Sequence, residues 1–175
     1  MLIPSHLEYA YSKIVDVPDF PQKGIVFKDI TPLLEDEKAF SSVVDDLSQY
    51  LNGANKVAGI ESRGFIFAAA IAARNNLGLV LLRKPGKLPR KTYSVEYLLE
   101  YGSDSLHLHT DSLSSKDQVL IVDDVLATGG TMKAAVELVG LSGAKISNCC
   151  VFLELSFLNG RGFLQEVSLK SSIII

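Results

Sequence analysis

Four short runs of continuously apolar residues alternate with segments of helical composition, and this alternation constrains the fold more than any other feature. The apolar runs cover residues 56–60, 77–82, 118–125 and 145–155, and the predicted helices cover residues 38–51, 64–74 and 131–141. Strands that are apolar at nearly every position are typical of a parallel sheet with helices on both faces. The sequence therefore predicts an α/β fold with a mostly parallel central sheet.

The length and composition fit one domain that spans residues 1–175. With 47% hydrophobic residues, the chain can fill a single core, and no internal repeat or long linker divides it. The segment 85–113 interrupts the alternation: YSVEYLLEY and SLHLHTD are strand-like and are separated by a polar turn at Gly102. We expect this segment to form a flexible hairpin flap that projects from the core.

The overall charge and the N-terminus argue against two classes of partner. A net charge of -3 and a pI near 5.6 disfavour non-specific binding to nucleic acids, which requires a basic surface. The N-terminus has no basic leader followed by an apolar stretch, and the longest apolar run, residues 65–73, is too short to cross a bilayer. These features predict a cytoplasmic protein without nucleic-acid or membrane partners.

The two cysteines are adjacent, at Cys149 and Cys150, inside a predicted strand. Neighbouring side chains of a strand point to opposite faces, so a disulfide between them would be strained. We therefore expect both cysteines to be reduced and to serve as packing residues. The three histidines, at positions 6, 107 and 109, are far from either cysteine and predict no protein-built metal site.

The stretch VLIVDDVLATGGT, residues 119–131, carries the strongest functional signal. Asp123 and Asp124 follow a buried strand, where their carboxylates can accept hydrogen bonds from sugar hydroxyls or hold a hydrated cation. The residues of the next loop lead into a helix, whose N–H groups can converge on an anion: Ala127, Thr128, Gly129, Gly130 and Thr131. The loop lacks the lysine of a P-loop and the glycine spacing of a dinucleotide fingerprint. The pattern indicates a site for a phosphorylated sugar. The alternative is an ordinary strand-to-helix turn with a capping threonine.

This stretch resembles the phosphoribosyl-pyrophosphate (PRPP) motif of the type I phosphoribosyltransferases. The resemblance implies that Asp123 and Asp124 bind the ribose hydroxyls and that residues 127–131 bind the 5-phosphate. Four more stretches precede this motif in the chain, in the order typical of the adenine phosphoribosyltransferase family: FPQKGIVFKDITPLL (20–34), ESRGF (61–65), RKPGKLP (83–89) and LEYG (99–102). The implied purine-salvage reaction converts adenine and PRPP to AMP and pyrophosphate, with Mg²⁺ carried on the substrate. A different purine acceptor and a PRPP-sensing regulatory domain are the alternatives.

The same resemblance assigns further residues. Pyrophosphate contacts are implied for Ser62, Arg63, Arg83, Lys84 and Lys87, and adenine contacts for Val26, Phe27 and Lys28. Lys28 stands where many relatives carry arginine, whose planar fork lysine lacks. Glu100, in LEYG, is the implied catalytic carboxyl group, and Glu96 is a rival on spacing alone. The resemblance also implies a homodimer, and residues 173–175 would complete a strand or a subunit contact.

Overall fold

The computed structural model describes residues 2–98 and 103–175. In chain order its elements are α1 (Glu8–Ser12), β1 (Val15–Pro18), β2 (Val26–Asp29), α2 (Thr31–Glu35), α3 (Glu37–Ser48), β3 (Lys56–Ile60), α4 (Gly64–Arg74), β4 (Gly78–Leu82), β5 (Thr92–Leu98), β6 (Ser103–His109), β7 (Gln118–Leu126), α5 (Gly130–Leu141), β8 (Lys145–Glu154) and β9 (Leu169–Ile174). Short 3-10 turns cover Ser5–Leu7, Ser156–Leu158 and Gly160–Phe163.

The central sheet has five strands in the order β4-β3-β7-β8-β9, and all neighbouring strands are parallel. Each of the four predicted strands lies within one residue of its observed bounds, and the α/β class is confirmed. Alternate residues of the strands face two separate cores: Leu120 and Val122 pack with α3 and α4, while Val119 and Ile121 pack with α5. Burial on both faces explains why the strands read as continuous apolar runs.

The helices begin and end close to the predicted positions. Asp36 caps α3 by accepting hydrogen bonds from the backbone N–H groups of Lys38 at 3.1 Å and Ala39 at 2.9 Å. The longest helices have 12 residues. Within the described ranges, no helix is long and apolar enough to cross a membrane.

The adjacent cysteines behave as predicted. Both are buried free thiols, and Cys149 faces the core beneath α5 while Cys150 faces the core beneath α3 and α4. Burial raises the pKa of the Cys149 thiol to about 12. The two residues therefore serve packing on opposite faces of β8.

The C-terminal isoleucines complete a strand, which was one of the two expectations for them. Ile173 is fully buried in β9, and Ile174 exchanges backbone hydrogen bonds of 2.7 and 3.1 Å with Leu2. The N-terminal segment is thereby attached to the edge of the sheet.

The antiparallel hairpin of β5 and β6 is present, and its described residues pack against the core along one face. Leu106 and Leu108 are fully buried, and Tyr97 is 8% exposed, all in the core beneath α5. The alternation of apolar residues in β6 gives the hairpin one apolar face, which packs on α5. The predicted catalytic residue Glu100 lies outside the described residues.

A second antiparallel hairpin, formed by β1 and β2, was not predicted. Its strands have four residues each, none of them buried, so they lack the apolar periodicity that marks a strand. Phe20 and Phe27 meet edge to face, with ring centres 5.1 Å apart. We call residues 15–29 the hood, because they form one wall of a large cleft.

Candidate active site

Asp123 and Asp124 lie near the carboxyl end of β7, as expected. Asp124 is 5% exposed, and its Oδ2 atom lies 2.7 Å from Nε of Arg63. The Asp123 carboxylate accepts a hydrogen bond of 2.9 Å from the backbone N–H of Asp124. Asp124 lines a large cleft, whereas Asp123 lines a small neighbouring cavity. The paired acids thus serve two adjoining compartments.

Burial raises the pKa of both carboxyl groups. At Asp123, where the pKa rises well above its usual range, the negative charge of Asp124 adds to the effect of burial. At Asp124 the guanidinium of Arg63 opposes the rise. The two carboxylates are therefore poorly solvated, and hydrogen-bond donors such as sugar hydroxyls would stabilise their charged forms.

The loop from Ala127 to Thr131, which we call the phosphate loop, connects β7 to α5. Gly129 has a φ of +86°, a left-handed conformation that favours glycine, and α5 begins at the next residue. Ala127, Thr128, Gly129 and Thr131 line the small cavity of about 70 Å³ together with Asp123. The N-terminal end of α5 adds a positive partial charge there, so this cavity can accept an anion.

Arg63 connects the end of β7 to the hood. Besides the ion pair with Asp124, its Nη1 atom donates to the backbone carbonyl of Lys28 at 3.1 Å. Its guanidinium also lies 4.6 Å from the centre of the Phe27 ring. The loop between β3 and α4 therefore fixes Arg63 between an acid and an aromatic wall.

A cleft of about 890 Å³ separates the hood from the ends of β7 and β8. It collects these predicted site residues: Val26, Phe27, Lys28, Arg63, Asp124, Ala127 and Thr128. The Lys28 ammonium lies 2.6 and 2.7 Å from the two carboxylate oxygens of Asp16, across the hood hairpin. The side chain of Lys28 is thus held by an ion pair at the wall of the cleft.

Two of the three predicted pyrophosphate ligands in residues 83–87, which we call the basic loop, are already paired with acids: Arg83 and Lys84. Arg83 donates to both carboxylate oxygens of Glu61, at 3.1 and 3.0 Å, and the backbone N–H of Lys84 donates to Glu61 at 2.8 Å. The Lys84 ammonium contacts Asp104 and the Tyr97 hydroxyl. These cations do not line the large cleft, and a ligand would have to attract them from their present partners.

Two further predicted pyrophosphate ligands, Ser62 and Lys87, lie in exposed loops. Ser62 is exposed in the turn between β3 and α4, and the peptide bond that precedes it is cis. Lys87 is also exposed, and its backbone carbonyl accepts a hydrogen bond of 3.2 Å from Arg83. Both residues are open to solvent.

Sequence reasoning missed several residues of this region. They are Asp16, Glu61, Asp104, the residues Leu155, Phe157 and Leu158 that line the cleft, and Gly160, which touches the phosphate loop. Parallel strands end at one edge of a sheet, so the segment after β8 could have been placed beside the segment after β7. The partners of the basic loop carry no comparable signal, because they are distant in sequence.

The acidic pair at the end of β7 is the candidate for a protein contribution to a metal site. No group of three or more histidine, cysteine, aspartate or glutamate side chains is placed to hold a metal ion in the part of the chain that the structure describes. Asp123 and Asp124 provide one pair of carboxylates. Mg²⁺ commonly takes one or two carboxylates together with substrate phosphates, and this pair fits that pattern.

Comparisons with known proteins agree with this geometry. The profile of the phosphoribosyl transferase domain matches residues 33–160. The chain is 57% identical to the adenine phosphoribosyltransferase of Geobacter metallireducens over 155 residues, which cover 87% of this chain and 91% of that protein.

Solved structures show the same similarity. The adenine phosphoribosyltransferase of Thermoanaerobacter pseudethanolicus superposes with a TM-score of 0.93 at 46% identity, and the match covers 97% of this chain and 99% of that chain. The Saccharomyces cerevisiae adenine phosphoribosyltransferase, in complex with an imino-altritol bisphosphate and adenine, gives a TM-score of 0.91 at 31% identity over 97% of this chain and 99% of that chain.

Proposed function

The chain belongs to the adenine phosphoribosyltransferases of the type I phosphoribosyltransferase family, and on this premise we propose that it transfers the 5-phosphoribosyl group of PRPP to adenine. The products are AMP and pyrophosphate. The observation that carries the proposal is the position of Arg63, which contacts Asp124 on one side and the hood at Lys28 and Phe27 on the other. One side chain therefore connects the sugar-binding acids to the wall where the base would bind.

The proposed PRPP site uses the end of β7. The carboxylates of Asp123 and Asp124 accept hydrogen bonds from the ribose hydroxyls, and the backbone N–H groups of the phosphate loop bind the 5-phosphate. Ser62, Arg63 and the cations of the basic loop face the pyrophosphate group. Mg²⁺ carried on PRPP would neutralise part of the pyrophosphate charge, with Asp123 or Asp124 as its protein ligand.

The proposed adenine site is the hood side of the cleft. Backbone groups near Val26 read the edge of the base, and Phe27 contributes an apolar wall. Since Asp16 already holds the Lys28 ammonium, we expect the side chain of Lys28 to set the polarity of the wall rather than to form the main contact with the base. This arrangement suits a neutral purine.

During transfer, N9 of adenine attacks the anomeric carbon of PRPP while the bond from that carbon to the pyrophosphate oxygen breaks. Positive charge develops on the ribose, where the nearby carboxylates stabilise it, and the cations stabilise the departing pyrophosphate. In the N7–H tautomer of adenine, N9 carries the free lone pair for this attack, and Glu100 is the proposed group that binds the N7 proton and accepts it as the bond from N9 to the ribose forms. The hairpin of β5 and β6 would cover PRPP and exclude water.

Two variants test the role of Glu100. We expect Glu100→Gln to lower kcat by roughly 10²-fold or more, with PRPP affinity unchanged, because acid–base groups contribute about 10²- to 10⁴-fold. Glu96→Gln is the matched control, since Glu96 is exposed on β5. Full activity of Glu100→Gln would remove Glu100 from the mechanism, and a loss confined to Glu96→Gln would transfer the role to the rival residue.

A homodimer is the proposed assembly, and the proposed location is the cytoplasm. The edge strand β4 exposes Leu79 and Leu81, at 43% and 36%, on the side of the sheet that carries α4, where Ile66 is 39% exposed. An apolar surface at one edge of the sheet supports association with a second copy. Sedimentation of Leu79→Lys against the parent chain tests this, and a parent chain that sediments as a monomer would contradict it.

The acceptor is tested by offering the purified protein PRPP and Mg²⁺ with adenine, hypoxanthine, guanine, xanthine or orotate separately. We expect nucleotide and pyrophosphate only with adenine. Formation of another nucleotide would reassign the hood to a different base. PRPP binding without any product would favour the regulatory alternative.

A further inference from the structure

Gly160 and the phosphate loop touch through their backbones. A Cβ atom built on Gly160 would lie 2.2 Å from the carbonyl oxygen of Ala127 and 2.9 Å from the backbone nitrogen of Gly129. A Cβ atom on Gly129 would lie 2.4 Å from the carbonyl oxygen of Gly160. Neither position has room for a side chain, so two glycines from distant parts of the sequence allow this contact.

The need for glycine at position 160 is steric, because its φ does not lie in the left-handed region. An alanine there would meet no penalty from its own backbone conformation. Gly129 differs, since its φ of +86° favours glycine by itself. Substitution at position 160 therefore disturbs the contact between the two segments without imposing a second strain.

A set of polar contacts fixes the turn that carries Gly160. The next residue, Arg161, donates to both carboxylate oxygens of Glu154 at 3.0 and 2.5 Å, and to the Leu169 carbonyl at 3.0 Å. Glu154 is only 5% exposed at the end of β8. The turn is thereby attached to the central sheet rather than to the loop it supports.

We propose that Gly160 is a positioning residue that braces the phosphate loop for the 5-phosphate of PRPP. The proposal rests on the proposed function, because it assumes that residues 127–131 bind this phosphate. Gly129 has no side chain that could hold the loop in place, and its φ is one that few residues adopt. The Gly160 backbone packs against it and would fix the position of the loop. Phosphate binding by N–H groups depends on their alignment, and we infer that the Gly160 backbone, which packs on the phosphate loop without lining its small cavity, sets that alignment.

The test is Gly160→Ala, studied by steady-state kinetics with each substrate varied. We expect KM for PRPP to rise about tenfold or more, because displacement of a binding loop by a fraction of an ångström weakens a preorganised site. KM for adenine, measured at saturating PRPP, should stay within about twofold, since Gly160 is not among the residues that line the cleft beneath the hood. A parallel rise in both constants would indicate general distortion and overturn the proposal.

Two glycines provide matched controls. A Cβ atom on Gly162, in the same 3-10 turn, would approach only the Asn159 side chain, at 3.3 Å, and one on Gly140 would meet nothing within 4 Å. Both alanine variants should keep the parent KM for PRPP. A folded Gly160→Ala enzyme with the same KM for PRPP as Gly162→Ala overturns the proposal.

Two further variants keep the test decisive. If Gly160→Ala shows no cooperative thermal unfolding, Arg161→Lys replaces it, because lysine cannot form the paired contact with Glu154. A raised KM for PRPP with KM for adenine retained then supports the brace, and unchanged values overturn it.

Thr131→Val probes the phosphate loop itself: if it weakens PRPP binding while Gly160→Ala does not, only the brace fails. If neither variant affects PRPP, the assignment of the phosphate loop fails as well.

Discussion

The phosphate loop and the basic loop lie at the same edge of the sheet, and as proposed anion sites they are built in opposite ways. The phosphate loop has no charged side chain and offers backbone N–H groups at the start of α5. The basic loop has three cations in five residues, and Arg83 and Lys84 are already bound to Glu61 and Asp104. One loop is preorganised, whereas the other must exchange partners.

This difference suggests how binding energy is divided between the two ends of PRPP. A preorganised backbone site loses little on binding, because its donors are fixed and need no new partner. A cation that leaves a carboxylate for a phosphate gains only the difference between two ion pairs. We therefore expect the sugar and 5-phosphate end to dominate affinity, and the pyrophosphate end to depend more strongly on ionic strength.

The largest expected effect tests the first half of this comparison. In Asp123→Asn/Asp124→Asn, the ribose hydroxyls lose both charged acceptors, and hydrogen bonds to charged groups contribute about 1.5–3 kcal/mol each. PRPP affinity should fall by roughly 10²-fold or more, measured by titration calorimetry. Asp111→Asn is the control, because Asp111 is exposed and pairs only at the surface with Arg90. Unchanged affinity in the double variant would sink the ribose assignment.

A smaller effect is expected from Glu61→Gln, which separates the two ends of the substrate. Glutamine is uncharged and cannot accept both hydrogen bonds from Arg83, so Arg83 should leave this partner more easily for pyrophosphate. KM for pyrophosphate in the reverse reaction should fall about tenfold, while KM for AMP, which carries the 5-phosphate, stays constant. Glu137→Gln, at an exposed position of α5, is the control. A rise for AMP alone would reverse the proposed division.

A still smaller change is expected from Asp104→Asn. If pyrophosphate takes Lys84 from Asp104, removal of the competing carboxylate should lower KM for PRPP about threefold. AMP binding should not change. A higher KM for PRPP would mean instead that Asp104 holds Lys84 in its binding position.

The sequence predicted the scaffold well, because the scaffold depends on local patterns. Continuous apolar runs identified the strands, and the position of Asp123 and Asp124 after one of them identified the edge where ligands collect. The adjacent cysteines followed from strand geometry alone. In each case, the physical cause operates over a few neighbouring residues.

The contacts that distinguish the two loops could not be predicted in this way. Arg83 and Glu61 are 22 residues apart, and Gly160 meets Gly129 only because β7 and β8 end side by side. The hood strands are short and none of their residues is buried, so burial leaves no periodicity in their sequence. Basic residues in RKPGKLP indicated an anion site, but whether a cation is free or paired depends on tertiary structure.

The smallest predicted effect concerns protein stability: we expect the Asp123 carboxylate, beside the phosphate loop, to lower the free energy of unfolding. Because burial, and then the charge of Asp124, raises the pKa of Asp123, the folded protein holds this proton more tightly than the unfolded chain. That contribution to stability is present below the unfolded pKa, near 3.8, and is lost as the pH rises through the raised native pKa. Asp123→Asn should therefore be more stable than the parent at pH 8, by on the order of 1 kcal/mol, with the difference shrinking toward pH 4.

Thermal unfolding of both proteins at pH 4, 6 and 8, without PRPP, measures this difference. Asp111→Asn should instead be less stable than the parent at pH 8. The hydrogen bond from Arg90 lowers the pKa of Asp111, and the resulting stabilisation is present above the unfolded pKa and is lost as the pH falls through the native pKa. If Asp123→Asn were instead less stable than the parent at pH 8, the buried carboxylate would be a structural asset. The phosphate-loop end would then resemble the basic loop, in which charge is already satisfied by the protein.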